Sequence, residues 1–236
     1  MNLTIYHGSR ERILRPTLKH KSTDKEYGQG LYTTSEKELA KQWAMASNPI
    51  NRSGYIHKYR INTEGLKVLY VHEEYGLFDL VSIIAKNKEY LRNMISTRDI
   101  ALTIIEEFYD KSFEDYDIVV GHRFDGRYMH YIEKILRGEL NIDMAEKELF
   151  NMFNNNENLV IVIKSQKALS RLEEVYMDKE SREPEEYISD KRYLDDYMNK
   201  WDSVAEELNR LERSKDNQLI GNIFRYARPP KKVYIS

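Results

Sequence analysis

The chain has 236 residues, 41% of them hydrophobic and 32% charged, and its 37 Lys and Arg nearly balance 39 Asp and Glu for a formal charge of −2. That length suits one domain or one and a half, and the near-neutral balance gives no bulk attraction to nucleic acid. The absence of cysteine removes disulfides, thiolate metal sites and Cys nucleophiles. With no leader pattern and no apolar run near the roughly 20 residues of a membrane span, the expectation is a soluble, cytoplasmic protein.

Residues 3–6 predict a short strand that ends at His7 and Gly8, and residues 9–26, polar and holding Pro16, predict a loop. Residues 31–34 form a second strand. Ser35 to Glu38 has the form of a capping box, and the helix behind it places Leu39, Trp43 and Ala46 on one side. Residues 54–61 alternate as a half-buried strand does, and residues 66–71 continue as another after a turn at Gly65. Helices over 77–86 and 99–109 come next, then a short buried strand over 117–121. Tyr128, Tyr131, Ile132, Ile135 and Leu136 mark a helix stopped by Gly138, and Asp143 caps a further one carrying Leu149, Phe150 and Phe153. After a turn at Asn154, Asn155 and Asn156, residues 159–163 are the most strand-like run of the chain.

From about Lys179 the composition shifts to charge with spaced apolar residues. Leu194, Tyr197, Trp201, Val204, Leu208 and Leu211 recur at spacings of three and four, an amphipathic helix of about six turns over 190–213. Its seam either packs on its own domain or docks a partner or a second copy. The last strand signal is 232–235. The expected division is a domain over 1–178 and a charged helical extension over 179–236. Strands with interspersed helices, no regular strand–helix alternation and no Gly-rich phosphate loop argue against a doubly wound sheet and for an α+β fold.

Two short motifs point to chemistry. The first strand ends in Tyr6-His7-Gly8-Ser9-Arg10, and the second opens with Tyr27-Gly28-Gln29-Gly30-Leu31-Tyr32-Thr33-Thr34 ahead of the capped helix. A glycine lets backbone N–H and C=O approach a ligand closely, and a tyrosine on such a strand offers a ring for stacking. Taken singly, His7 reads as an ordinary surface or capping histidine and Tyr32 as an ordinary strand residue. Together they resemble the nicotinamide end of the NAD pocket in ADP-ribosyltransferases of the poly(ADP-ribose) polymerase and diphtheria-toxin branch. Over roughly residues 2–170 the chain resembles a mostly uncharacterised bacterial family placed in that superfamily.

The resemblance implies a split antiparallel β-sandwich around a nicotinamide crevice, with helices outside. It implies that His7 bonds a ribose hydroxyl of NAD and that Gly8 grips the carboxamide through its backbone. Ser9 and Arg10 complete the first motif, and Gly30 and Leu31 bring Tyr32 to the nicotinamide ring. Trp43, eleven residues beyond Tyr32, matches a second stacking aromatic, with core packing as its alternative. The third catalytic position is normally a Glu or a substitute heading a later strand. Register counted back from Lys164 and Ser165 puts Val160 there, so Glu157, or Asn158, is the nearest group able to orient C1. Asp125 matches a strand-Gly-x-x-x-Asp segment, and Arg123, Arg127 and Arg10 are candidates for the pyrophosphate. The remaining histidines lack metal-ligand spacing and read as structural; no metal is needed.

These residues lead to the expectation of a mono-ADP-ribosyltransferase that uses NAD as substrate, a bacterial toxin or phage-defence effector with a protein or nucleic-acid acceptor. An antitoxin, or self-association, would engage helix 190–213. Water as acceptor would make the same pocket an NAD glycohydrolase, and loss of the third residue would leave an NAD-binding module.

Overall fold

Alternation of apolar and polar residues makes Asn2–Ser9 a strand, β1, that buries Ile5 and His7 on one face. In the computed structural model, which describes residues 2–18, 25–46, 53–124, 126–140, 147 and 159–181, β1 is an edge of the first of two sheets. The helix expected from Asp143, the Asn turn, helix 190–213 and the strand at 232–235 lie outside the described residues.

The strands continue with β2 (Leu31–Thr33), β3 (Ser53–Asn62), β4 (Val68–Tyr70), β5 (Ile118–His122), β6 (Leu159–Ile163) and β7 (Leu172–Ser181). The helices are α1 (Lys37–Ala46), α2 (Val71–Glu74), α3 (Leu77–Asn87), α4 (Glu89–Asn93), α5 (Arg98–Phe108), α6 (Gly126–Leu136) and α7 (Gln166–Leu169), with a 3-10 turn at Lys111–Asp115. One sheet has the order β1-β3-β7 and the other β2-β6-β5-β4. This is a mixed α/β structure of two sheets. The three-stranded sheet is antiparallel throughout. The four-stranded sheet is antiparallel between β2 and β6 and between β6 and β5, within the mostly antiparallel expectation, while β4 and β5 run parallel. The cause is their connection: α2 to α5 intervene, and a long helical crossover returns the chain in the same direction where a hairpin would reverse it.

The sheets face each other across a core of Ile5, Tyr59 and Ile61 against Leu31, Ile118, Val120, Ile161 and Ile163. The other face of the four-stranded sheet, with Tyr32, Leu69, Val119, Val160 and Val162, is covered by α3, α5 and α6. Sheet β2-β6-β5-β4 is therefore buried on both sides, which is why β5 and β6 read as unbroken apolar runs.

Helix α1 starts at Lys37, with the first intrahelical bond from Ala40 N–H to Glu36 C=O and the Glu36 N–H held by the Thr34 hydroxyl. That start lies one residue beyond the expected box at Ser35. Its buried positions are Leu39, Ala40, Ala44 and Met45, with Trp43 half-buried and the Ala46 side chain outside the described set. Helix α6 ends as expected, with Gly138 at φ 71° in the left-handed region.

One polar staple closes the far end of the four-stranded sheet. The Asp117 carboxylate accepts from the Ser165 hydroxyl and from Lys67 N–H at 2.9 Å, with the Lys167 ammonium at 3.5 Å. Burial opposes the charge, but these three groups outweigh it and hold the carboxyl below its ordinary range. A folded-state value below the unfolded one adds stability above the unfolded range, near pH 4, and that stability is lost as pH falls through the folded value. Asp117→Ala is expected to cost about 2–3 kcal/mol at pH 7 and less near pH 3. Urea melts of both proteins at the two pH values measure the difference, and an equal loss at both would show that the charge is not what holds the staple.

Candidate functional site

The two motifs meet where the sheets join. Tyr6 N–H donates to Thr34 C=O at 2.7 Å and Thr34 N–H to Tyr6 C=O at 2.9 Å, a lone bridge from β1 to the end of β2. Alternate residues of a strand turn their backbone groups to the same edge. Gly8 therefore turns its N–H and C=O to the β1 edge that Tyr6 uses, toward β2 and away from β3. One residue back, His7 Nδ1 donates to the Tyr32 carbonyl at 2.6 Å. A carbonyl only accepts, so Nδ1 carries a proton, and in the neutral form of the ring Nε2 is the acceptor nitrogen. His7 is buried, at 7% exposure.

Gly8 is a glycine for a second reason. A Cβ there would run into the Ala40 carbonyl of α1, and one on Gly54 would lie 2.7 Å from Ala44 O. The pairs Gly8 with Ala40 and Gly54 with Ala44 let α1 lie directly on the β1-β3 backbone. The missing side chain serves helix packing, and the backbone groups point elsewhere. Gly30 is similar: a Cβ would lie 2.6 Å from Val162 Cγ1 and 2.7 Å from Ile163 O. Leu31 is buried opposite Ile163 in the inter-sheet core.

Tyr32 is 8% exposed and belongs to the helix-side core. Its hydroxyl accepts from Tyr27 N–H at 3.0 Å and donates to Gly28 C=O at 2.9 Å, so the ring closes its own turn. The turn needs Gly28, which sits at φ 76°. The Lys25 ammonium lies 5.5 Å from the Tyr32 ring centroid. Burial, with the nearby Glu26 charge, raises both the Tyr27 and Tyr32 phenols far above the ordinary tyrosine range, so both are neutral.

Trp43 packs against the helix-side core, and the exposed Arg123 guanidinium stands 5.5 Å from its ring. Core packing and an aromatic face toward a cation are thus both realised at this residue. Ser9 folds back on Glu11, its hydroxyl donating to Glu11 C=O at 2.7 Å and accepting the Glu11 N–H at 3.2 Å. Arg10 is exposed. Val160 is 1% exposed in the core that also holds Tyr32. Glu157, Asn158 and Asp125 lie outside the described residues, as does the side chain of Arg127.

His57, the cross-strand partner of His7, has a structural role. Its Nε2 accepts from Ile13 N–H at 3.3 Å and its Nδ1 donates to Glu174 at 3.0 Å, which pins the loop after β1 to β3 and β7. Two further residues belong to the site, Tyr27 and Lys164, to which the motifs assign no role. Tyr27 is one of 18 tyrosines and stands one place before Gly28. Lys164 directly follows β6, and its Nζ donates to Tyr27 C=O at 3.1 Å. Among the described residues no cluster of three or more His, Asp and Glu could hold a metal, and no helix is long and apolar enough to cross a membrane.

The model of a family described as "Protein of unknown function (DUF3990)" matches residues 3–173, well over half of the chain and every strand described here up to the start of β7. No curated protein and no solved structure matches the chain.

Proposed function

We propose that this chain, which belongs to the DUF3990 family, is an NAD-dependent mono-ADP-ribosyltransferase of the toxin or phage-defence type. The observation that carries the reading is the junction of β1 and β2. There the Gly8 backbone pair is turned toward β2, the strand that carries Tyr32, and His7 is fixed to the Tyr32 carbonyl at 2.6 Å. A donor and an acceptor on one glycine match a primary carboxamide, the group that distinguishes nicotinamide. The tyrosine ring draws a cation to its face, as Lys25 shows, and the pyridinium ring of NAD is cationic. His7 Nε2, as acceptor, suits a ribose hydroxyl.

Breaking the bond between nicotinamide and ribose C1 builds positive charge on the ribose while the leaving ring becomes neutral. Most of the rate then comes from positioning and electrostatics, without a metal. Gly8 and Tyr32 hold the leaving ring, His7 holds a ribose, and Glu157 is the carboxylate proposed to face C1. Val160, enclosed in the core, is not that group. Arg123 on Trp43 is a candidate for the pyrophosphate. The acceptor is a macromolecule, protein or nucleic acid, met in the cytoplasm.

The test is incubation of purified protein with labelled NAD and cell lysate. Label on a macromolecule supports transfer, free ADP-ribose alone means hydrolysis, and neither product removes the enzymatic reading. NAD at about a hundred times its dissociation constant should add roughly 2.7 kcal/mol of stability. His7→Ala should abolish that gain. The variant's own melting temperature, read without NAD, separates lost binding from the lost bond to Tyr32.

A further inference from the structure

We infer that Tyr27 is a positioning residue, which sets the Tyr32 ring against the β1 edge and so determines the fit of the nicotinamide group; the inference rests on the function proposed above. Tyr27 is fully buried, and all its polar groups are engaged. Its N–H donates to the Tyr32 hydroxyl at 3.0 Å, its own hydroxyl donates to His122 C=O at 2.8 Å, and its C=O accepts from Lys164 Nζ at 3.1 Å. The ring lies where any side chain at residue 121 would be, since a Cβ on Gly121 would run into the Tyr27 ring and hydroxyl. Residue 27 is thereby fastened to the ends of β5 and β6, and Tyr32 is fastened to residue 27.

Filling the space over Gly121 requires only a ring. A phenylalanine would do so without burying a hydroxyl, and an apolar residue at 164 would spare a buried ammonium. The Lys164 side chain is 7% exposed, and burial pulls its ammonium below the ordinary lysine range despite Glu114 at 3.4 Å. Both polar groups are costly to bury, and both anchor residue 27, the hydroxyl by donating to His122 C=O and the ammonium by donating to Tyr27 C=O. What they fix is the point from which the Tyr27 N–H orients the Tyr32 hydroxyl. Stacking on a ligand tolerates displacements of only about half an ångström, so the anchor acts on binding while leaving the hydrophobic packing in place.

The experiment uses the full chain and two variants that act from opposite sides, Tyr27→Phe and Lys164→Met. Amide exchange at residue 27 is followed without ligand, and NAD affinity is measured by calorimetry well below the melting temperature. Exchange at residue 27 should speed up about tenfold relative to β5 amides, and NAD affinity should fall about tenfold, with circular dichroism unchanged. If the parent protein binds NAD and both variants bind it equally well, the positioning role is overturned. If the parent does not bind NAD, the function proposed above fails. Exchange alone then decides the structural claim: acceleration confined to residues 27–32 upholds it, and exchange at the parent rate overturns it. Should Tyr27→Phe fail to fold, Lys164→Met gives the same readings.

Discussion

Gly8→Ala should lower the melting temperature by roughly 6–12 °C or prevent folding. The added Cβ meets the Ala40 carbonyl of α1, a backbone atom that cannot rotate away. Relief requires lifting a ten-residue helix off β1 and β3. Overpacking a core costs about 1–3 kcal/mol when side chains can adjust, and more when backbone has to move. A domain of this size shifts by about 2–4 °C per kcal/mol. Gly76→Ala is the control: it lies at φ −83°, and its Cβ would meet only the Asp79 carboxylate at 3.6 Å. Thermal melts that place Gly8→Ala within a degree or two of that control would refute the packing described for α1.

Tyr32→Ala should destabilise by about 3–5 kcal/mol, the range for emptying a buried aromatic site. The ring is packed with the helix-side core, and its hydroxyl serves both Tyr27 N–H and Gly28 C=O. Tyr32→Phe separates these contributions. It keeps the ring and leaves two backbone groups without that partner, for a loss of about 1–3 kcal/mol. Urea titration gives both values. If the two variants lose equal stability, the ring contributes nothing to packing and the hydroxyl everything. NAD affinity measured on folded Tyr32→Phe then reports on a ring released from its bond to Tyr27 N–H.

How much of this was legible in the sequence depended on how local the determinant is. Residues 159–163 are an unbroken apolar run because both faces of β6 are buried, and the strand was read to the residue. The alternation in β3 was equally plain. β7 was not anticipated, since Glu173, Glu174 and Asp178 interrupt any apolar pattern. It exists because the open edge of β3 pairs with it over nearly its whole length. The spacing in α1 points to Leu39, Trp43 and Ala46, whereas Ala40 and Ala44 make the closest approach. That approach depends on Gly8 and Gly54, which are adjacent only after β1 and β3 pair. At the site, His7, Gly8 and Tyr32 were named from short motifs, and the bond between His7 and Tyr32 spans 25 positions. Tyr27 and Lys164 are 137 positions apart, and no local signal joins them.

The order of strands has a consequence for how the chain acquires its shape. β6, formed by residues 159–163, lies between β2 and β5, and β7, formed by residues 172–181, completes the sheet that β1 begins. Each sheet thus waits for one of the last described strands. During synthesis β1, β2 and β3 emerge with neither sheet able to close, and their edges stay open to unwanted pairing. Such distant pairings make folding slow relative to helical proteins of similar size. A nascent chain halted before residue 159 should therefore remain protease-sensitive, and protection should arise abruptly once β6 and β7 have cleared the ribosome.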